Sequence, residues 1–128
     1  MGSVVEETST PVSPVPGDIA TDHLLAAYGT LRPGEVNHRL IADVPGEWLD
    51  GWVRGHRGEQ EGYPAFWYSP EGARHPVKVF HSRELPKLWT HLDWFEGKGW
   101  PRRVVPVEIS DGRTLKANLY QRIGDPPR

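Results

Sequence analysis

Short apolar runs, each closed by a turn signal, constrain this 128-residue chain more than any other feature of it. His23 to Tyr28 is an apolar run stopped by Gly29, which predicts a buried strand leading into a tight loop. Trp48 to Arg54 brings Trp52 back to the face of Trp48, and Gly51 between them predicts a bulge or a bend. Tyr63 to Tyr68 is a further strand after a Gly-rich, charged link over 55–62, and Ser69-Pro70-Glu71-Gly72 turns the chain. Val77, Val79 and His81 then alternate with Lys78, Phe80 and Ser82. Val105, Val107 and Ile109 share a face, Asp111-Gly112 signals a hairpin, and Leu115, Ala117 and Leu119 alternate on the way back. So many short strands have no stable existence as an open flat sheet in a domain of this size, and closure removes their edges. The fold class that follows is α+β: a small mixed, mostly antiparallel closed β-barrel with one main flanking helix. A sandwich is the alternative.

The helix is the stretch from Leu85 to Gly97. Leu85, Leu88, Trp89 and Leu92 fall at i, i+3, i+4 and i+7, Pro86 suits a first turn, and Gly97 suits the residue past the end, which predicts three turns. The next member of the apolar stripe is Glu96. A carboxylate there meets both the unfavourable end of the helix dipole and the cost of burial, and both raise its pKa. The plain alternative turns Glu96 outward into water. Asn37 to Asp43 predicts a helical turn or two with Leu40 and Ile41 inward.

The ends differ in character. Residues 1–22 carry Ser, Thr, Pro and Glu with almost no aromatic content, which predicts a disordered tail, followed by one domain over 23–123 and a short C-terminal tail over 124–128. No apolar run approaches a membrane span. A net charge of -2, with the 15 Lys and Arg scattered, argues against a nucleic-acid surface. The absence of cysteine excludes disulfides, thiolate nucleophiles and cysteine metal sites, and without a signal peptide it favours the cytoplasm.

Candidate chemistry is sparse. The six histidines, His23, His38, His56, His75, His81 and His91, form no HxH or helical i, i+4 pair, so neither a metal site nor a cofactor is expected. The serines lie in the tail or in turns, and no GxSxG elbow is present. Gly29-Thr30-Leu31-Arg32-Pro33-Gly34 lacks the Gly-Lys-Ser/Thr ending of a phosphate loop. It is open to two readings, an ordinary tight turn or a cradle of backbone N–H groups for a carboxylate, and by chemistry alone the turn is the better one.

Ala27-Tyr28-Gly29-Thr30-Leu31-Arg32-Pro33-Gly34, Asn37-His38, Gly62-Tyr63-Pro64-Ala65, Leu92-Asp93-Trp94-Phe95-Glu96-Gly97 and Arg103-Val104-Val105-Pro106-Val107 occur in that order. Together they resemble the gamma-glutamylcyclotransferase-like family, which includes the AIG2-like proteins, the butirosin-pathway deprotecting enzyme and the gamma-glutamylamine cyclotransferases. The resemblance covers about residues 23 to 123. It implies a small mixed barrel in which Tyr28, Gly29, Thr30 and Leu31 line a substrate cavity, Tyr63 joins them as a binding residue, and Glu96 is the catalytic acid/base. The chain departs from the family pattern at Pro101, where a tyrosine is usual, with Trp100 one place earlier, and at Val77, where a glycine is common.

The reaction that the resemblance implies needs neither metal nor external nucleophile. The α-amino group of a small γ-glutamyl substrate attacks its own γ-carbonyl, closes 5-oxoproline and expels an amine, so the protein supplies a pose, a base and an acid. One carboxylate serves as both in turn. Two other readings belong to different classes: a non-catalytic small-ligand or protein-binding member of the same fold, and an unrelated all-β interaction domain whose tryptophans bind a partner.

Overall fold

The computed structural model describes residues 19–126. Six strands, β1 (Leu24–Ala27), β2 (Glu47–Gln60), β3 (Tyr63–Tyr68), β4 (Ala73–His81), β5 (Arg102–Ile109) and β6 (Thr114–Tyr120), accompany one α-helix, α1 (Trp89–Glu96). The sheet runs β3-β2-β4-β1-β6-β5, and β5 returns to β2, so five strands close a barrel and β3 extends β2 outside it. Only β1 and β6 are parallel, through Leu25 and Asn118; the other pairings are antiparallel. This is the mixed, mostly antiparallel closed barrel with a flanking helix expected from the strand pattern.

Closure depends on Gly51. It pairs with Val77 on one side and Ile109 on the other, and a Cβ there would lie 2.8 Å from the Glu108 carbonyl oxygen. The register against β4 runs one to one through it, so the glycine is not a bulge; it is where β5 comes close enough to complete the ring. At Gly55, φ is +153°, and the strand passes from pairing with β4 to pairing with β3. The segment 55–62, expected to be a link, is thus mostly the second half of β2. Its lack of apolar alternation follows from its position, because beyond Gly55 it is paired on one edge only and faces water. Glu61 and Gly62, both at positive φ, make the two-residue hairpin turn that joins it to β3.

Two apolar clusters share the β-strands. Leu24, Ala26, Val53, Val79, Val105, Val107 and Leu119 fill the barrel. Leu25, Ala27, Phe80 and Tyr120 point outward and meet Leu85, Trp89 and Leu92 of the helical segment. All four residues of β1 are buried for this reason, which explains its continuous apolar run. The expected three-turn helix is divided: Leu85–Lys87 is a 3-10 turn closed by Leu88 N–H on the Leu85 carbonyl, and α1 starts at Trp89. The stripe survives, since Leu85, Trp89 and Leu92 are all buried. Residues 38–40 form one 3-10 turn with Ile41 buried beside it.

The expectation of a disordered tail over 1–22 lies outside the described residues up to 18. Within 19–22, Ile19 packs on the barrel cluster, and the carbonyls of Thr21 and Asp22 accept bonds from Asn118 Nδ2 and Trp89 Nε1. No helix of the described residues is long and apolar enough to cross a membrane.

Candidate active site

β1 delivers Tyr28 to the rim of the barrel, still 6 % exposed, with its ring 5.4 Å from that of Phe66 and its hydroxyl donating to the Tyr120 carbonyl. From this anchored residue the chain enters the Gly29-Thr30-Leu31 loop, whose carbonyls are tied from behind one after another. Arg57 Nη2 donates to Tyr28 O at 2.8 Å, Arg32 donates N–H and Nε to Gly29 O at 3.1 Å, and Asn37 N–H reaches Thr30 O at 2.9 Å. His38 Nδ1 lies 3.0 Å from Leu31 O, and because a carbonyl only accepts, Nδ1 carries the proton. Asn37 Nδ2 also donates to Thr30 Oγ1 at 2.9 Å. Among the described residues, the N–H groups of Gly29, Thr30 and Leu31 have no protein acceptor, so they are unspent donors on residues that line a cavity. Gly29 does not take a positive φ, contrary to what a glycine at such a turn suggests. A Cβ there would sit 3.4 Å from Pro64 Cβ, at the limit of ordinary contact, so it is bulk beyond a Cβ that would crowd Pro64.

Opposite the loop stands the last turn of α1. Asp93 and Glu96 lie on the same helix, and their surroundings push them apart electrostatically. Burial alone would raise the Asp93 pKa, but hydrogen bonds from Arg102 and from the Tyr120 hydroxyl outweigh it and hold the carboxyl below its ordinary value. Glu96 is half-buried and has no hydrogen-bond or ion-pair partner among the described residues. Burial pushes its pKa up to about 7. Its negative charge adds to burial in raising the hydroxyl pKa of Tyr28, and it acts in the same sense on Tyr120. The helical period thus placed Glu96 inward correctly; burial is the cause that the structure identifies.

Loop and carboxylate face one cavity of about 430 Å³. Tyr28, Gly29, Thr30, Leu31, Tyr63 and Glu96, the six residues singled out in the sequence, all line it. So do Asn37, Pro64, Phe95 and Trp100, which had been given no role. Phe95 is readable only once the helix is known to end over the cavity. Trp100 arrives by a turn in which its N–H bonds the Gly97 carbonyl at 3.2 Å. Among the described residues, no group of three or more His, Cys, Asp or Glu side chains is placed to hold a metal. What the arrangement offers is one proton-exchanging carboxylate, a row of backbone donors and a partly enclosed space between them.

Comparison with known proteins gives the family and the fold. The family profile described as gamma-glutamyl cyclotransferase, AIG2-like, matches residues 25–127. No curated protein matches the chain significantly. Among solved structures, an AIG2-like protein of Mus musculus shares the fold at 18 % identity and TM-score 0.64, over 82 % of this chain and 80 % of that one. YkqA from Bacillus subtilis is 28 % identical with TM-score 0.64, over 79 % of this chain but 36 % of its own. An uncharacterized protein of Pyrococcus horikoshii is 24 % identical with TM-score 0.57, covering 81 % and 80 %.

Proposed function

Because the chain belongs to the gamma-glutamyl cyclotransferase, AIG2-like family, we propose that it cyclises the γ-glutamyl group of a small γ-glutamylamine or related conjugate, giving 5-oxoproline and a free amine. The observation that carries this reading is Glu96: a half-buried carboxylate without a partner among the described residues, its pKa near 7, facing the backbone donors of residues 29–31 across one cavity.

The chemistry follows from the substrate's own groups. Its α-ammonium gives a proton to the Glu96 carboxylate, and the freed amine attacks the γ-carbonyl carbon at short range. As the C–N bond forms, negative charge gathers on the γ-oxygen, where N–H groups of the 29–31 loop are suited to receive it. The protonated Glu96 then returns its proton to the departing nitrogen and the amide bond breaks; the carboxylate so restored takes the second proton from the ring nitrogen, which became cationic when it bonded the γ-carbon, and passes it to the released amine, so that neutral 5-oxoproline leaves with the amine as its ammonium. A carboxyl with an ordinary pKa would accept a proton poorly from an ammonium and hold it too briefly to donate. Raising it to about 7 fits both halves of the cycle. Asp93 is unsuited to that role, since Arg102 and Tyr120 keep it charged.

The test is release of 5-oxoproline from a panel of γ-glutamylamines, measured by mass spectrometry with the parent and with Glu96→Gln. Release that depends on Glu96 supports the enzyme. Binding without release by the parent would instead favour a ligand-holding member of the fold.

A further inference from the structure

The cavity is chemically lopsided. Its lining is of two chemical kinds: the backbone of residues 29–31 with Asn37, and the rings of Tyr63, Phe95 and Trp100 with Pro64, which lies against Gly29. Glu96 is the sole carboxylate among its lining residues, and that carboxylate is committed to proton transfer under the proposed function, on which this inference rests.

Trp100 is held in place. The Arg122 guanidinium lies 5.2 Å from its ring, is 17 % exposed, and reaches the Gly99 carbonyl at 3.5 Å. The same guanidinium approaches Glu61 at 3.6 Å, two residues ahead of Tyr63. The Arg122 N–H bonds the Phe66 carbonyl at 3.1 Å and the Ile123 N–H bonds the Gly99 carbonyl at 2.9 Å. One cation therefore braces the segments that carry Trp100 and Tyr63. A ring held in place on the lining of the cavity that also holds the carboxylate proposed to protonate the leaving nitrogen is available to meet what that nitrogen carries.

We infer that the leaving amine of the substrate carries a flat aromatic ring and no second cationic centre, its ring seated against Trp100 and Phe95, and that Trp100 sets this preference. A second cationic centre on the amine would be drawn from water into a rim with no free carboxylate to meet it, at a net cost. A short alkyl amine would fit but leave the ring faces uncovered.

Three conjugates test this on the full chain: γ-glutamyl-benzylamide, γ-glutamyl-ethylamide and γ-glutamyl-cadaverine. The benzylamide should exceed the ethylamide in kcat/KM by about tenfold or more, mainly through KM, with the cadaverine conjugate no better than the ethylamide. Trp100→Ala should bring the benzyl-to-ethyl ratio close to one, while Trp100→Phe, which keeps a ring, retains most of it; circular dichroism checks that both fold. Equal turnover of benzylamide and ethylamide, a preference for the cadaverine conjugate, or an unchanged ratio in Trp100→Ala overturns the inference and leaves the cyclotransferase reading intact. Release of 5-oxoproline from none of the three removes both.

Discussion

Asp93 and Glu96 stand three residues apart on α1, and the fold gives one of them partners and denies them to the other. Arg102 Nε meets Asp93 Oδ1 at 2.9 Å and the Tyr120 hydroxyl meets it at 2.7 Å, whereas Glu96 faces the cavity unpaired among the described residues. The same element therefore carries a carboxylate that holds structure and one free to exchange a proton.

Glu96→Gln should cut 5-oxoproline release by about two orders of magnitude or more, since it keeps shape and hydrogen bonding while removing the titrating group. Ligand affinity should persist by calorimetry. In the parent, kcat/KM should fall as pH drops through about 7, because the free enzyme needs the ionised carboxylate to take the ammonium proton. A profile flat from pH 5 to 8, or near-parental turnover by the variant, would remove Glu96 from the mechanism.

The same residue predicts a stability effect of the opposite sense to an ordinary salt-bridged acid. Its folded pKa, about 7, is above the model-peptide value of 4.5, so the native state binds the proton more tightly than the unfolded chain. Stability from this group is complete below the unfolded pKa and is lost as pH rises through the folded one. Glu96→Gln, permanently neutral, should therefore stabilise the protein by roughly 3 kcal/mol at pH 8 and little at pH 4. Melting curves of both proteins at the two pH values decide it; a gain confined to low pH would contradict the burial of this carboxylate.

What the sequence revealed was local. The helical period aimed Glu96 inward because burial of Leu85, Trp89 and Leu92 fixes the rotation of the whole segment. The alternation of β4, β5 and β6 was legible because each strand has one face in the barrel. Arg57 was not, because the second half of β2 leaves the barrel and shows the composition of a link, yet from there Arg57 reaches the Tyr28 carbonyl. Trp100 and Asn37 were equally hidden as site residues: each lines the cavity from a connecting segment whose path is set by distant contacts, those of Arg122 and of Thr30.

Gly51→Ala should test how the barrel closes. The new Cβ would meet the Glu108 carbonyl oxygen at 2.8 Å and Val107 Cγ1 at 3.0 Å, and backbone on both sides limits relief. A loss of about 2 kcal/mol is expected, as for overpacking, seen as a fall in Tm of roughly 5 °C or more. Gly58→Ala is the control, because its Cβ would find only ordinary contact at 3.5 Å from the Trp67 ring. Equal melting of the two variants would mean that β2 and β5 do not approach as closely as their pairing indicates.

The loop at residues 29–31 separates a cradle of backbone from one of side chains. Thr30→Ala removes a hydroxyl that already accepts from Asn37 Nδ2, at a cost of about 1 kcal/mol in stability, and leaves the N–H row in place, so ligand affinity should change little. Gly29→Val acts differently. Its Cβ alone would sit 3.4 Å from Pro64 Cβ, so the two further methyl groups must enter the cavity or displace Pro64, which also lines it. Binding should be lost while the barrel, whose core this residue does not enter, still folds by circular dichroism. Calorimetric titration of both variants with 5-oxoproline is the measurement. If Thr30→Ala loses binding and Gly29→Val keeps it, the hydroxyl holds the ligand, and the ties from Arg57, Arg32, Asn37 and His38 serve only to shape a turn.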